Sequence, residues 1–141
     1  MTTTYDTTIE RNKALAVEFL ELVGTHDLER LCERITPDWK MYGGPPNLPA
    51  GLEGLRLLFS TFGRITQSWS IEDVIAESDR VVVRAINTCE QDSFLGVPAA
   101  GVTQRFTATF THRIADGLIA ETWRNADDLG RLIQLGARIC P

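Results

Sequence analysis

The chain has 141 residues, of which 43% are hydrophobic, enough to bury one core but too little for two ordinary domains. Its formal charge of −5 comes without a cluster of Lys or Arg, which argues against a nucleic-acid-binding surface. No segment approaches the roughly 18 apolar residues that cross a bilayer, and "MTTTYDTT" lacks the features of a signal peptide. We therefore expect one cytoplasmic domain over residues 1–141, with no membrane or nucleic-acid partner.

The first half of the chain predicts three helices and one strand. Apolar residues at helical spacing indicate a helix over residues 8–23, which Gly24 ends. A short second helix is predicted from Asp27 through Ile35, and Pro37 closes it. The segment "DWKMY" then predicts a strand, and "LEGLRLLFSTF" predicts a third helix with one broad apolar face.

The second half changes to strand-like patterns. Four segments rich in β-branched and aromatic residues predict successive antiparallel strands: "SWSIEDVIA", "RVVVRAINTCE", "QRFTATFTHRI" and "LIAETWRN". Helical spacing returns in "DDLGRLIQLG", with Asp127 or Asp128 capping its start and Gly136 ending it. This order indicates an α+β domain in which a curved antiparallel sheet and the N-terminal helices form a cone around a pocket.

Cysteine usage and short motifs give no sign of a cofactor. Cys32, Cys89 and Cys140 are odd in number and lack C-x-x-C spacing, so neither a disulfide framework nor a zinc site is indicated. The sequence contains neither a phosphate loop nor a nucleophile elbow. Any chemistry is therefore expected to need no cofactor and no metal.

Several segments together resemble a known family. The segment 112–136 contains "R-I-x-D-G-x-I-x-E-x-W" followed by "D-x-x-G-x-x-x-Q-L-G". With "ITPDWKMYGGPP" and "FLGVPAAG", it resembles the SnoaL-like polyketide cyclase family of the nuclear transport factor 2-like superfamily. The resemblance covers nearly the whole chain. It implies a cone-shaped α+β fold, a homodimer, a deep pocket for a hydrophobic small molecule and cofactor-free acid–base chemistry.

The family's aldol residues are exchanged in this chain. An ungapped alignment on "ADGLI" places Arg124 at the family's aspartate acid/base and Phe110 at the histidine that assists it. A glutamine becomes Ala108, and an asparagine becomes Met41. Because a guanidinium stays protonated at neutral pH, it cannot abstract a proton, and the aldol mechanism does not transfer.

His112 is the first candidate for proton transfer. Side chains alternate along a strand, so His112 shares a face with Phe106, Ala108 and Phe110. An imidazole can take or give a proton near neutral pH. The alternative is a core histidine that hydrogen-bonds a backbone carbonyl.

Tyr42 and Glu90 are further catalytic candidates, at positions where the family's ester-cyclase branch often carries histidine. Tyr42 could donate to a substrate oxygen, and Glu90 could act as a base if burial raised its proton affinity. The alternatives are an aromatic residue at the rim and a solvated carboxylate.

Arg124 completes the predicted catalytic set, because its fixed charge can hold an enolate oxygen. Its alternative is an ion pair with Glu121, Asp127 or Asp128. Four residues are expected to line the pocket and contact the substrate: Trp39, Met41, Phe110 and Asp127. For Asp127, the alternative is a helix cap.

Two functions follow from these residues. The first is a cofactor-independent cyclase or isomerase for a polyketide-like natural product, closing a ring through an epoxide or an enone by acid–base catalysis. The second is a non-catalytic binding or association domain of the same fold, whose polar pocket groups are paired with one another. Failure of the four catalytic candidates to converge on one cavity would rule out the first with this set of residues.

Overall fold

The computed structural model describes residues 4–140. Residues 1–3 and residue 141 lie outside the described residues. The first three belong to "MTTTYDTT", the segment used above to argue against a signal peptide. The helices are α1 (Thr4–Gly24), α2 (Leu28–Cys32), α3 (Gly51–Phe62) and α4 (Asp128–Gln134). The strands are β1 (Ile35–Tyr42), β2 (Ile65–Glu77), β3 (Arg80–Gln91), β4 (Ser93–Phe94), β5 (Val97–Pro98), β6 (Gln104–Ala115) and β7 (Leu118–Ala126).

Five strands form one mixed sheet in the order β1-β7-β6-β3-β2. The pairs β2/β3, β3/β6 and β6/β7 are antiparallel, which confirms the four predicted antiparallel strands. The edge strand β1 pairs in parallel with β7. The short strands β4 and β5 pair separately inside the segment "SFLGVPAAG", which the sequence assigned only to a connection. The α+β class is thus confirmed.

The second helix is shorter than its apolar spacing predicted. It ends at Cys32, and Ile35 instead opens β1, where it lies opposite Ile119. The amide of Ile119 donates to the carbonyl of Arg34 across this junction, at 2.9 Å. Pro37 lies within β1 rather than closing a helix, which an edge strand tolerates because proline has no N–H to donate to a neighbour.

The core lies between one face of the sheet and the helices. Along β3 and β6 buried and exposed residues alternate, so every second side chain points inward. Phe19 of α1 and Leu55 of α3 belong to the same buried cluster as the inward residues of the sheet. We call this side of the sheet the inner face and the opposite side the outer face.

The segment containing α4 shows why the family-like motif has its residues. Asp127 caps the helix by accepting from the amide of Gly130 at 2.9 Å. A Cβ at Gly130 would displace the capping Asp127 carboxylate, so glycine leaves room for the cap. The side-chain amide of Gln134 accepts from the Arg105 N–H at 2.8 Å and donates to the Arg105 carbonyl at 2.7 Å. The motif therefore fastens α4 to the start of β6.

The remaining expectations concern cysteines and membranes. Cys32, Cys89 and Cys140 are all free, as the sequence indicated. Burial raises the pKa of the Cys89 thiol, which keeps it neutral in the core. Over residues 4–140, every helix falls short of the length and apolarity that a membrane span requires.

The Asp127 cap gives a stability prediction. Asp127→Ala removes the acceptor for the Gly130 amide and should lower the free energy of unfolding by about 1 kcal/mol. Asp127→Asn keeps an acceptor oxygen and should stay close to the parent. Thermal and urea unfolding of the three proteins measure this, and an equal loss in both variants would show that the cap is not the cause.

Candidate functional site

A buried chain of hydrogen bonds crosses three neighbouring strands on the inner face. His112 of β6 lies opposite Thr122 of β7, and its Nδ1 is 2.9 Å from the Thr122 hydroxyl. The indole Nε1 of Trp39, on β1, donates to the same hydroxyl at 3.0 Å. His112 is 1% exposed, and the other two side chains are fully buried. Three strands thus hold one imidazole in place.

Counting donors assigns the protons in this chain. Trp39 can only donate, so Thr122 accepts from it and must direct its own hydroxyl hydrogen elsewhere. Among the described residues, the other partner of that hydroxyl is His112 Nδ1. The assignment that gives the Thr122 hydroxyl hydrogen an acceptor has Thr122 donating to Nδ1, which leaves the proton of a neutral His112 on Nε2.

Burial keeps His112 neutral. Removal from water lowers the pKa of His112 from 6.5 to about 4. The imidazole packs edge-on against Phe19, with ring centres 5.1 Å apart, and lies parallel to the Phe110 ring at 6.4 Å. Within the described part of the chain, Nε2 has no hydrogen-bond partner. His112 is therefore suited to donate a hydrogen bond from Nε2 and is a weak base.

Arg124 lies on the same face of β7, opposite Phe110, and its side chain is 15% exposed. Two of its nitrogens donate to the two carboxylate oxygens of Asp128, each at 2.7 Å. It also donates to the Gly43 carbonyl at 3.1 Å. Of the ion pairs that the sequence left open, the one with Asp128 is formed.

Tyr42 lies on the outer face, not beside His112. Alternation along β1 turns Trp39 inward and Tyr42 outward. The Tyr42 hydroxyl donates to Glu121 at 3.1 Å, and its ring stacks on Trp123 with centres 5.5 Å apart. The hydrogen bond to the Glu121 carboxylate raises the pKa of Tyr42. The expectation that Tyr42 reaches the cone interior is thus corrected.

Glu90 also points away from the interior. Its neighbours Cys89 and Gln91 are buried, so alternation along β3 leaves Glu90 exposed. Its carboxylate accepts from the Gly101 amide at 3.1 Å. It lines a surface hollow of about 320 Å³ with Arg64 and other polar residues. Glu90 is therefore exposed outside the interior, and the four catalytic candidates do not converge on one cavity.

The predicted substrate contacts divide in the same way. Phe110 is buried on the inner face, and Met41 is half-buried against the core. Trp39 is fully buried. Asp127 instead caps α4 from an exposed position. Three of the four predicted contacts thus lie in the interior, together with His112 and Arg124.

A second surface hollow, of about 390 Å³, lies at the end of the cone where the β2/β3 and β6/β7 turns meet α1. Its lining includes Ile114, which is on the same strand face as His112 and two residues beyond it. The hollow is lined by Thr8, Ile9, Asn12, Ser78, Asp79, Ile114, Asp116 and Gly117. The hollow therefore meets the inner face of β6 at Ile114.

Sequence reasoning missed the partners of His112. Thr122 is two residues before Arg124, which indicates that the two share a face of β7. Its position opposite His112 could not be counted from the "ADG" turn, because the register shifts between Arg113 and Ile114. The buried polar residues Asn87 and Gln104 were also missed, and their inward positions in otherwise apolar strand faces were the corresponding signal.

Both the sequence and the fold are similar to those of known proteins. The model of the family described as SnoaL-like polyketide cyclase matches residues 14–135. TsrD from Streptomyces laurentii is 28% identical with a TM-score of 0.78, covering 92% of this chain and 97% of its own. IdmH from Streptomyces antibioticus, described as a candidate polyketide cyclase, is 27% identical with a TM-score of 0.72, covering 89% and 99%.

A Bacillus cereus protein with the same candidate description is 26% identical with a TM-score of 0.72, covering 86% of this chain and 78% of its own. No curated protein matches this sequence significantly. The similarity to these three solved structures covers between 86% and 92% of this chain.

The neutral state of His112 gives a pH prediction. Its folded pKa of about 4 is below the ordinary 6.5, so the unfolded chain binds the proton more readily. Stability should be complete above pH 6.5 and fall as the pH drops toward 4, by about 3 kcal/mol in all.

Urea unfolding across that range measures the slope. His112→Asn keeps a polar group for Thr122 but removes the ionisable ring, so its stability should fall less on acidification. Parallel pH profiles for the two proteins would contradict the assignment.

Proposed function

Because the chain belongs to the SnoaL-like polyketide cyclase family, we propose that it is a cofactor-independent cyclase or isomerase acting on a hydrophobic, oxygenated, polyketide-like molecule. One observation carries the proposal. His112 is a buried neutral imidazole, held at Nδ1 by Thr122, with no hydrogen-bond partner for Nε2 among the described residues. The candidate description of the similar IdmH as a polyketide cyclase supports the substrate class.

The role of His112 is to donate from Nε2 to a carbonyl oxygen of the substrate. When a nucleophile adds to the substrate, negative charge collects on that oxygen. A hydrogen-bond donor that is already oriented stabilises this charge more strongly inside a water-poor interior than it would in water. Thr122 and Trp39 act as positioning residues, because they fix the ring and its proton.

Ring closure onto an enone suits this arrangement. A hydroxyl of the substrate forms a C–O bond to the β-carbon of the enone. The π electrons of the C=C bond then shift toward the carbonyl oxygen, which accepts a hydrogen bond from His112. The hydroxyl proton ends on the α-carbon, so the product is an isomer of the substrate. An aldol closure would require a stronger base, and the carboxylate beside Arg124, that of Asp128, is occupied by an ion pair.

A non-catalytic binding domain is the second candidate. It is favoured by the bidentate pairing of Arg124 with Asp128 and by the tight enclosure of His112. This candidate function would bind a hydrophobic molecule without accelerating its conversion. The two proposals therefore differ in turnover rather than in binding.

The cyclase proposal is tested with a chalcone that carries a hydroxyl ortho to its ketone. Its closure to a flavanone is an intramolecular addition to an enone, and loss of the chalcone absorbance follows it. The parent protein should accelerate closure, and His112→Asn should lose roughly a hundredfold of that acceleration, the scale of one oriented donor.

Tyr42→Phe is the matched control, because Tyr42 lies on the outer face. It should retain the parent rate and a parent-like circular dichroism spectrum. Binding of the chalcone without acceleration would favour the non-catalytic domain. No acceleration by the parent, or an unaffected His112→Asn protein, would refute the catalytic role.

We also propose that the chain forms a homodimer through the outer face of the sheet. This face carries the stacked Tyr42 and Trp123 rings, with Arg80 over the Trp123 ring at 5.3 Å. Ile75, also on the sheet, is 63% exposed. A second copy would cover such groups.

Sedimentation equilibrium at micromolar concentration should give twice the 15.7 kDa mass of the chain. Trp123→Glu should shift the population toward the single-chain mass, because a carboxylate would be buried at the interface. A parent that sediments at the single-chain mass would rule out the dimer.

A further inference from the structure

Three residues that neighbour Phe106 on the inner face each carry a buried polar atom without a hydrogen-bond partner among the described residues. These atoms are Trp69 Nε1, Asn87 Oδ1 and Gln104 Nε2. The Trp69 ring meets the Phe106 ring edge-on with centres 5.8 Å apart. Asn87 lies opposite Phe106 across β3 and β6, and Gln104 precedes it by two residues on the same face. We call these four residues the Phe106 cluster.

Arg131 sets the orientation of Gln104. The Arg131 guanidinium lies between the Phe94 ring, 3.6 Å away, and the Phe106 ring, 4.2 Å away. Its Nε donates to Gln104 Oε1 at 3.1 Å, and another nitrogen donates to Gln91 at 2.6 Å. Because arginine only donates, the oxygen of Gln104 must face it. The Gln104 N–H group is consequently the unpaired end, and it is a donor.

Trp69 supplies a second donor beside the same ring. Its Nε1 can only donate, and its ring also meets Phe110 edge-on at 5.5 Å. Asn87 Nδ2 donates to Gln67 Oε1 at 3.0 Å, which leaves its carbonyl oxygen unpaired. The cluster thus presents two donors and one acceptor against an aromatic wall.

Such groups are rarely left unpaired in an interior. Burying a donor without an acceptor costs free energy, and native proteins pair nearly all of them. Three on residues that neighbour Phe106 mark a place where another molecule supplies the partners. A carbonyl oxygen has two lone pairs and can accept from both donors at once.

We propose that the Phe106 cluster is a subsite for a ketone of the substrate. Trp69 Nε1–H and Gln104 Nε2–H donate to the ketone oxygen, and Asn87 Oδ1 accepts from a neighbouring hydroxyl of the same molecule. This rests on the proposed function insofar as it places the ligand in the same interior.

The subsite also defines the shape of the substrate. Phe106 and His112 are six residues apart on one face of β6, a distance of about 20 Å. The buried residues between them on that face, Ala108 and Phe110, are apolar. A molecule that reaches both ends is elongated, oxygenated at each end and apolar in its middle.

The test compares α-tetralone with tetralin, which has the same two rings but no ketone. By isothermal titration calorimetry the parent should bind α-tetralone at least tenfold more tightly. Trp69→Phe removes one donor, and Gln104→Glu removes the other while keeping an oxygen for Arg131. Each variant should reduce the preference to threefold or less and leave tetralin affinity unchanged.

Trp123→Phe is the control, because this tryptophan stacks on Tyr42 on the outer face. It should keep the full ketone preference. Equal affinities of the parent for the two probes, no binding of either, or a preference that survives in both cluster variants would overturn the subsite.

The two proposals can fail separately. His112→Asn should keep the preference for α-tetralone, because His112 is not part of the cluster. A ketone preference without chalcone closure would leave the subsite standing and remove the cyclase proposal. Chalcone closure without a ketone preference would do the opposite.

Discussion

The register between β6 and β7 is the constraint on which the interior depends. It places His112 directly opposite Thr122, and the parallel pairing of β1 with β7 brings Trp39 to the same hydroxyl. Side chains alternate along a strand, so a slip of one residue would turn His112 to the outer face. The buried imidazole, its lowered pKa and its available N–H are therefore consequences of strand pairing.

The ion pairs at α4 have a comparable effect at the other end of the sheet. Asp128 is shared by Arg124, at 2.7 Å, and Arg131, at 3.7 Å. The pair with Arg124 joins α4 to β7, and Arg131, on the same helix as Asp128, orients Gln104. Burial lowers the pKa of Arg131, although the group stays charged. The contacts that hold α4 in place therefore also orient the side-chain N–H group of Gln104 in the interior.

Donors rather than bases characterise the interior of this family member. Where the resemblance led us to expect an aspartate and a histidine, the chain has Arg124 and Phe110. His112 lies two residues after Phe110 on the same face of β6. Its low pKa makes proton abstraction unfavourable and hydrogen-bond donation favourable. The substitutions therefore point to chemistry in which a carbonyl is polarised while the substrate supplies its own nucleophile.

The sequence by itself determined the α+β class, the four antiparallel strands and a helix cap at Asp127 or Asp128, because these depend on local period and on contacts within a few residues. It also determined which residues share a face with His112. It extended the second helix through Ile35, because helical spacing does not reveal that a parallel partner, Ile119, will draw this residue into β1.

Only the tertiary structure decided which face of each strand is buried. The resemblance assigned Tyr42 and Glu90 to the pocket, although each shares its strand face with a charged residue, Lys40 or Arg84. The bond from Trp39 to Thr122 joins residues 83 positions apart, and that from Arg131 to Gln104 joins residues 27 apart. Such contacts arise only when sheet register and helix docking are set, which local sequence does not encode.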